Sequence, residues 1–175
     1  MVDFLDWFGK LPYMHKIFIA GNHDFFFEKQ QASVIRSLLR SGVTYLKDEA
    51  INIDGIKVWG SPYTPWHQRW AFSKRRGEPL AKHWRNIPAD TDVLLTHGPA
   101  YGILDSLVNE RHAGDKDLLS RILEIKPKVH LCGHIHEAYG STTHQGVRFI
   151  NACVLDEGYK LAHKPIAFEL AQNTV

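Results

Sequence analysis

The sequence predicts a mixed α/β fold in which a sheet packs between helices. Three short apolar runs, at residues 16–20, 92–96 and 129–132, each end in a polar loop, as buried strands do. Segments with a helical period separate these runs, and two glycine turns mark hairpins. This order of elements places an antiparallel portion of the sheet toward the C-terminus.

The first half of the chain contains two helical patterns. Residues 4–11 carry apolar side chains at helical spacing, and Pro12 ends that helix. A second apolar stripe predicts a helix at 28–40, with Gly42 as its C-terminal cap. The strands predicted beside these helices lie at 16–20 and 43–46, followed by a hairpin at 50–59 around Asp54-Gly55.

Residues 61–90 have a different composition, with four prolines, several Trp and Tyr residues and the basic run 74–76. We interpret this segment as a long loop with one short helix near 79–85, which could hold a phosphate or cover a substrate. The alternative interpretation is a solvated flap without a role.

The remaining predictions are a strand at 92–96, a helix at 115–125, a strand at 129–132, a hairpin at 141–150 around Gln145-Gly146, and a strand at 165–170.

The composition is that of one soluble globular domain, which we assign to residues 1–175. Hydrophobic residues make up 44% and charged residues 23% of the chain, and the net charge of +2 does not by itself indicate nucleic-acid binding. Cys132 and Cys153 are too few for a disulfide framework. Each cysteine sits in an apolar run, which favours reduced thiols and a cytoplasmic protein. No apolar run reaches about 20 residues and the N-terminus is acidic and aromatic, so we expect neither membrane contact nor a signal peptide.

Polar loops after the apolar runs carry side chains that suit a divalent metal. His97, His134 and His136 follow predicted strands, and Asn22 offers an amide oxygen. His23 is a candidate catalytic proton donor, and Asp24 a candidate partner that orients it. Any one of these residues, taken alone, is more often structural. Three such loops in a small domain indicate one shared site.

Most other histidines of the chain lack this context, and we interpret them as structural. They are His15, His67, His83, His130, His144 and His163. His112 is open between approaching a substrate and lying on the surface.

The ordered motifs resemble those of the calcineurin-like metallophosphoesterases, in the subgroup of the brain metallophosphoesterase-domain proteins and their bacterial relatives. The likeness covers nearly the whole chain. The segments that carry it are 16–24 with Gly-Asn-His-Asp, 60–65 with Gly-Ser-Pro-Tyr-Thr-Pro, Thr96-His97-Gly98-Pro99, and 126–140 with Gly-His-Ile-His.

The resemblance implies a sandwich of two mixed sheets flanked by helices, and hydrolysis of a phosphodiester or phosphomonoester substrate by a metal-activated water. One metal would be held partly by Asn22, His97 and His134, while His136 would touch a second metal. His23 would stabilise the transition state or protonate the leaving group. Mn, Fe, Zn and Ni are the candidate ions, and two metals about 3.5–4 Å apart clamp the attacking and leaving oxygens.

Two family motifs, Asp-x-His and Gly-Asp-x-x-Asp, do not occur before Asn22. They supply carboxylates and a histidine to the metals, so we expect at most one metal here and reduced activity. We also expect an N-terminally truncated domain that lacks the first βαβ portion. Its open sheet edge predicts a homodimer or higher homo-oligomer.

Three hypotheses about function remain open at this point. The first is an active phosphoesterase. The second is a catalytically impaired family member that keeps the scaffold as a binding or regulatory module. A nucleic-acid binder that uses residues 74–76 and the nearby aromatic side chains is the weakest, because basic residues are few.

Overall fold

The computed structural model of the protein describes residues 2–170, which contain five α-helices and ten strands. The helices are α1 (Val2–Lys10), α2 (Phe25–Lys29), α3 (Ala32–Leu38), α4 (Glu78–Arg85) and α5 (Lys116–Ile125). The strands are β1 (Lys16–Phe18), β2 (Val43–Tyr45), β3 (Glu49–Ile53), β4 (Ile56–Ser61), β5 (Thr64–Pro65), β6 (Ser73–Lys74), β7 (Val93–Thr96), β8 (Val129–Cys132), β9 (Gly140–His144) and β10 (Val147–Asn151).

The largest sheet is mixed, with the strand order β3-β4-β7-β8-β10-β9. Its four central strands are parallel, and each edge strand pairs antiparallel with its neighbour through a hairpin. Both hairpin turns have positive φ at two successive residues, Asp54-Gly55 and Gln145-Gly146, which is the geometry of a type I′ turn. The predicted mixed α/β class and both predicted hairpins are confirmed.

One face of this sheet packs against α4 and α5. Trp59, Leu94 and Phe149 from three strands meet Trp84 of α4 and Ile122 of α5 in a fully enclosed apolar cluster. Asp115 caps α5, because its Oδ1 accepts a hydrogen bond from the Leu118 N–H at 2.9 Å. Burial of these large side chains stabilises the layer between the large sheet and its two helices.

The other face packs against the parallel pair β1–β2. Alternate side chains of β1 divide between two layers, since Ile17 faces the large sheet and Phe18 faces α1, α2 and α3. The result is two facing sheets with helices outside both, and the second of them is a parallel pair of strands. Leu95 and Leu131 lie on central strands of the large sheet but are only half-buried on this face.

Two predicted elements differ from the structure. The predicted helix at 28–40 is wrong as one element, since the extended backbone of Gln30 and Gln31 separates α2 from α3. No Gly or Pro marks that break in the sequence. The predicted strand at 165–170 is also wrong. Residues 165–170 form no strand and are held by side-chain contacts instead. Phe168 packs under the guanidinium of Arg148, and Leu170 packs against an apolar cluster.

The segment 61–90 is more regular than predicted. It contains the short parallel pair β5–β6 besides α4, whose bounds agree with the predicted short helix. Across residues 2–170, every helix is too short or too polar to pass through a bilayer.

Candidate functional site

Three loops bring Asn22, His97 and His134 together at the carboxyl ends of their strands. The loops follow β1, β7 and β8, and two backbone hydrogen bonds fix the loops after β7 and β8 to each other and to β4. The His97 N–H donates to the Ser61 carbonyl at 3.2 Å, and the Gly133 N–H donates to the His97 carbonyl at 3.1 Å. Side chains on a scaffold tied in this way are held in place before any ligand binds.

Asn22 and His97 contact each other directly. The Nε2 atom of His97 lies 2.8 Å from Oδ1 of Asn22, which is 8% exposed. This close approach depends on Gly21, since a Cβ atom there would lie 2.6 Å from Cε1 of His97. The amide oxygen and the imidazole nitrogen therefore point into one small space.

His134 completes this group from the neighbouring strand end. Its ring centroid lies 4.6 Å from that of His97. The backbone of His134 has a φ of 71°, in the left-handed region that a non-glycine residue rarely adopts. Such a conformation costs about 1 kcal/mol or more, so the surrounding structure must hold His134 in it.

Both imidazoles are held neutral by their surroundings. Burial lowers the pKa of His97 to about 3, with further contributions from His134 and His23. Burial also lowers the pKa of His134 to about 4, with contributions from His136, His67 and His23. A neutral imidazole keeps a lone pair on one nitrogen, which is the form that binds metals.

His136 is held by contacts outside this group, although it lies near enough to His134 to affect its pKa. It begins the 3-10 helix His136–Ala138, and its Nδ1 atom lies 2.7 Å from the Asp156 carbonyl oxygen. Its ring also contacts Tyr159, with centroids 4.9 Å apart. The hydrogen bond to the carbonyl places the proton on Nδ1 and leaves the lone pair of the neutral ring on Nε2.

The two predicted catalytic residues lie on the turn after Asn22. His23 is exposed, and its ring packs at 64° against Trp70 with centroids 4.3 Å apart. Oδ2 of Asp24 accepts a hydrogen bond from the Gly21 N–H at 2.7 Å. Asp24 therefore acts on the position of His23 by closing the turn that carries it.

His67 and His130 have closer links to the site than the sequence indicates. His67 lies on the loop between β5 and β6, near enough to His134 to affect its pKa. His130 is fully buried, and its Nε2 atom lies 2.7 Å from Oγ1 of Thr96. Because that hydroxyl donates to the Gly98 carbonyl at 2.6 Å, it accepts from His130 and fixes both neighbours of His97.

His130→Gln is expected to reduce the loss of stability at acid pH. Burial lowers the pKa of His130 from the ordinary 6.5 to about 3, so between these values only the unfolded chain binds this proton. Stability therefore falls as the pH falls, by about 2 kcal/mol between about pH 7 and pH 5 for this one group. Urea unfolding at both pH values measures the difference. The exposed His144→Gln is the matched control, and equal pH dependence in wild type and His130→Gln would contradict the prediction.

Gly21→Ala is expected to destabilise the fold by about 1–3 kcal/mol, because the new methyl group overlaps the imidazole of His97. Gly133→Ala is the control, since a Cβ atom there meets nothing within 4 Å and the backbone has no positive φ. Denaturant unfolding of both variants tests the comparison. Equal stability of the two variants would mean that His97 moves aside without cost.

The donors at this site are of the kind that bind divalent ions. Within residues 2–170, no three or more His, Cys, Asp or Glu side chains are grouped so that they could hold a metal. The group described above has two imidazoles and an amide oxygen. Three protein ligands and an open position are a common arrangement for a catalytic zinc ion.

A family model of calcineurin-like phosphoesterases matches residues 1–138, a span that includes Asn22, His97, His134 and His136. The chain belongs to the calcineurin-like phosphoesterase family. This finding confirms the resemblance that the sequence motifs indicate. The metal identity and number remain predictions.

Curated relatives agree with this assignment. A UPF0046 protein of Caenorhabditis elegans is 36% identical, covering 93% of this chain and 48% of its own length. Human metallophosphoesterase domain-containing protein 1 is 34% identical, covering 95% of this chain and 58% of its own length. This calcineurin-like phosphoesterase chain thus spans about half to two-thirds of such relatives. One solved structure shares the fold with a TM-score of 0.65 at 16% identity, over 87% of this chain and 62% of that chain.

Proposed function

We propose that the protein is a metal-dependent phosphoesterase that hydrolyses phosphodiester or phosphomonoester bonds. The observation that supports this most strongly is the convergence of Asn22, His97 and His134 at one sheet edge, with an Asn–His contact of 2.8 Å. The family is metal-dependent in general, and the matched range of the family model, residues 1–138, includes these three side chains.

In this proposal, Asn22, His97 and His134 hold one divalent ion, and His136 presents its Nε2 atom nearby. A bound divalent ion supplies positive charge that lowers the pKa of a water and polarises a phosphoryl oxygen. His23, exposed beside this group, donates a hydrogen bond to the leaving oxygen and protonates it as the ester bond breaks. Asp24 keeps the turn closed so that His23 stays in reach.

The second candidate is a family member with impaired catalysis. This candidate follows from the type of ligand available, because Asn22, His97 and His134 are all neutral and do not balance the positive charge of a bound ion. Hard ions such as Mn²⁺ prefer carboxylate ligands, whereas Zn²⁺ and Ni²⁺ accept imidazole. We therefore propose at most one metal for each chain, with Zn²⁺ or Ni²⁺ bound more tightly than Mn²⁺.

The test combines metal content with turnover. The purified protein is loaded separately with Zn²⁺, Ni²⁺, Mn²⁺ or Fe²⁺, the bound metal is measured, and hydrolysis of bis(p-nitrophenyl) phosphate and p-nitrophenyl phosphate is followed. Turnover that is lost in His23→Ala and kept in the exposed His144→Ala supports the enzyme. One bound metal or none, without turnover, supports the impaired form and contradicts the enzyme, whereas two bound metals for each chain would contradict the proposed stoichiometry.

We also propose that the protein forms a homo-oligomer through the face that carries Leu95 and Leu131. Half-buried leucines on central strands leave apolar surface that a second copy would cover. The edge of β1 that does not face β2 offers unpaired backbone groups in the same region. Light scattering that gives the mass of one chain would contradict this proposal, and Leu131→Lys is expected to shift an oligomer toward that mass.

A cytoplasmic location is the remaining part of the proposal. It rests on Cys132 and Cys153, which are both free thiols in the structure. Reduced cysteines are typical of the cytoplasm. Microscopy of the tagged full-length protein tests the location.

A further inference from the structure

The loop between β5 and β6 lies directly against the turn that carries His23. The Ala71 N–H donates to the Asn22 carbonyl at 3.0 Å. That hydrogen bond joins the peptide unit between Trp70 and Ala71 to the unit between Asn22 and His23. Trp70 and His23 are therefore neighbours across it, and this backbone register accounts for their ring contact at 4.3 Å.

The chain on both sides of this contact is firmly anchored. Ala71 and Phe72 are 0% exposed, and the Phe72 N–H donates to Oε1 of Glu28 in α2 at 2.8 Å. Backbone hydrogen bonds also join Thr64 to Phe72 and Trp66 to Lys74, which closes the loop at its base. Trp70 thus projects from a fixed point of the core.

His23 itself has few restraints besides Trp70. It is exposed, and an exposed imidazole exchanges rotamers rapidly unless a neighbour holds it. An aromatic ring packed at 64° and 4.3 Å restricts the imidazole to the orientations that keep the contact. Orientation of a reacting group changes rates strongly, since a displacement of about 1 Å can cost about 100-fold.

We propose that Trp70 is a positioning residue, which holds the imidazole of His23 in the orientation needed to contact the leaving group. Its effect on catalysis passes through His23. This inference rests on the proposed function, and it adds a residue of the loop between β5 and β6 to those that assist the reaction.

A double-mutant cycle tests this role. Trp70→Ala is expected to lower kcat/KM by about 10- to 100-fold for a phenyl phosphate ester, whose leaving oxygen must be protonated as the bond breaks. The loss is expected to be smaller for a p-nitrophenyl phosphate ester, because p-nitrophenolate leaves more readily without a proton. In a His23→Ala background, Trp70→Ala should add little, because its target is already absent. Trp70→Phe keeps an aromatic ring and is expected to restore most of the activity.

Trp66→Ala is the matched control, since Trp66 lies on the same loop, is 58% exposed and has no described contact with His23. It should leave kcat/KM for both esters close to that of the wild type. Equal losses for both esters in Trp70→Ala, or full additivity with His23→Ala, would overturn the proposal.

A readout without turnover separates this inference from the proposed function. In the wild type, the ring current of Trp70 shifts the His23 imidazole signals in an NMR spectrum. Trp70→Ala is expected to remove that shift, whereas Trp66→Ala should keep it. Unchanged His23 signals in Trp70→Ala would overturn the positioning role whatever the activity. An inactive wild type that shows the shift would instead contradict the proposed function.

Discussion

His97→Ala is expected to abolish binding of a divalent ion and to lower kcat/KM by about 1000-fold or more. The reason is its central place in the site, between Asn22 at 2.8 Å and the ring of His134 at 4.6 Å. Removing the imidazole leaves one nitrogen and one amide oxygen, too few protein ligands for a stable site. Titration calorimetry with Zn²⁺ measures the binding, and steady-state kinetics measures the rate.

The control for this prediction is His144→Ala. His144 is exposed at the end of β9, beside the first residue of β10, whereas His97 lies at the carboxyl ends of the parallel strands. Removal of the His144 ring should therefore change neither the Zn²⁺ binding nor the rate. Thermal melting of both variants establishes that they remain folded. Zn²⁺ binding by His97→Ala with wild-type affinity would show that the ion is held elsewhere.

Trp84→Ala is expected to lower the free energy of unfolding by about 4 kcal/mol. Trp84 is 2% exposed at the centre of the cluster between the large sheet and its helices. Its Nε1–H also donates to Oδ1 of Asp115 at 2.9 Å, and Asp115 caps α5. The substitution therefore creates a cavity and removes one donor from a buried carboxylate.

Trp66→Ala provides the comparison at constant side-chain chemistry. Trp66 is 58% exposed, so its loss should change the stability by less than about 0.5 kcal/mol. Urea unfolding with tryptophan fluorescence gives both values. Similar losses in the two variants would mean that the α4–α5 layer contributes little to stability.

Local sequence patterns predict the parts of this fold that local interactions determine. Asp54-Gly55 and Gln145-Gly146 specify type I′ turns by themselves, so both hairpins follow from a few residues. The apolar runs before His97 and His134 predict strands in the same way. Because parallel strands share a carboxyl edge, the approach of these two residues also follows from the pattern.

Tertiary contacts decide the parts that the patterns miss. No Gly or Pro marks the break at Gln30 and Gln31, and the apolar stripe of the predicted helix lies wholly after it, from Ala32 onward. The roles of His130 and Trp70 depend on hydrogen bonds and ring contacts to residues more than 30 positions away. The spacing of residues along the chain does not reveal such contacts. In the sequence, His130 and Trp70 therefore cannot be distinguished from other buried or surface rings.

The positive φ of His134 has a consequence for the evolution of the protein. Glycine adopts a φ of 71° without the steric penalty that a side chain carries. A change from His134 to glycine would therefore relieve backbone strain while it removes the imidazole. Stability and the proposed metal binding thus oppose each other at this position, so the histidine is expected to persist only where the imidazole is needed.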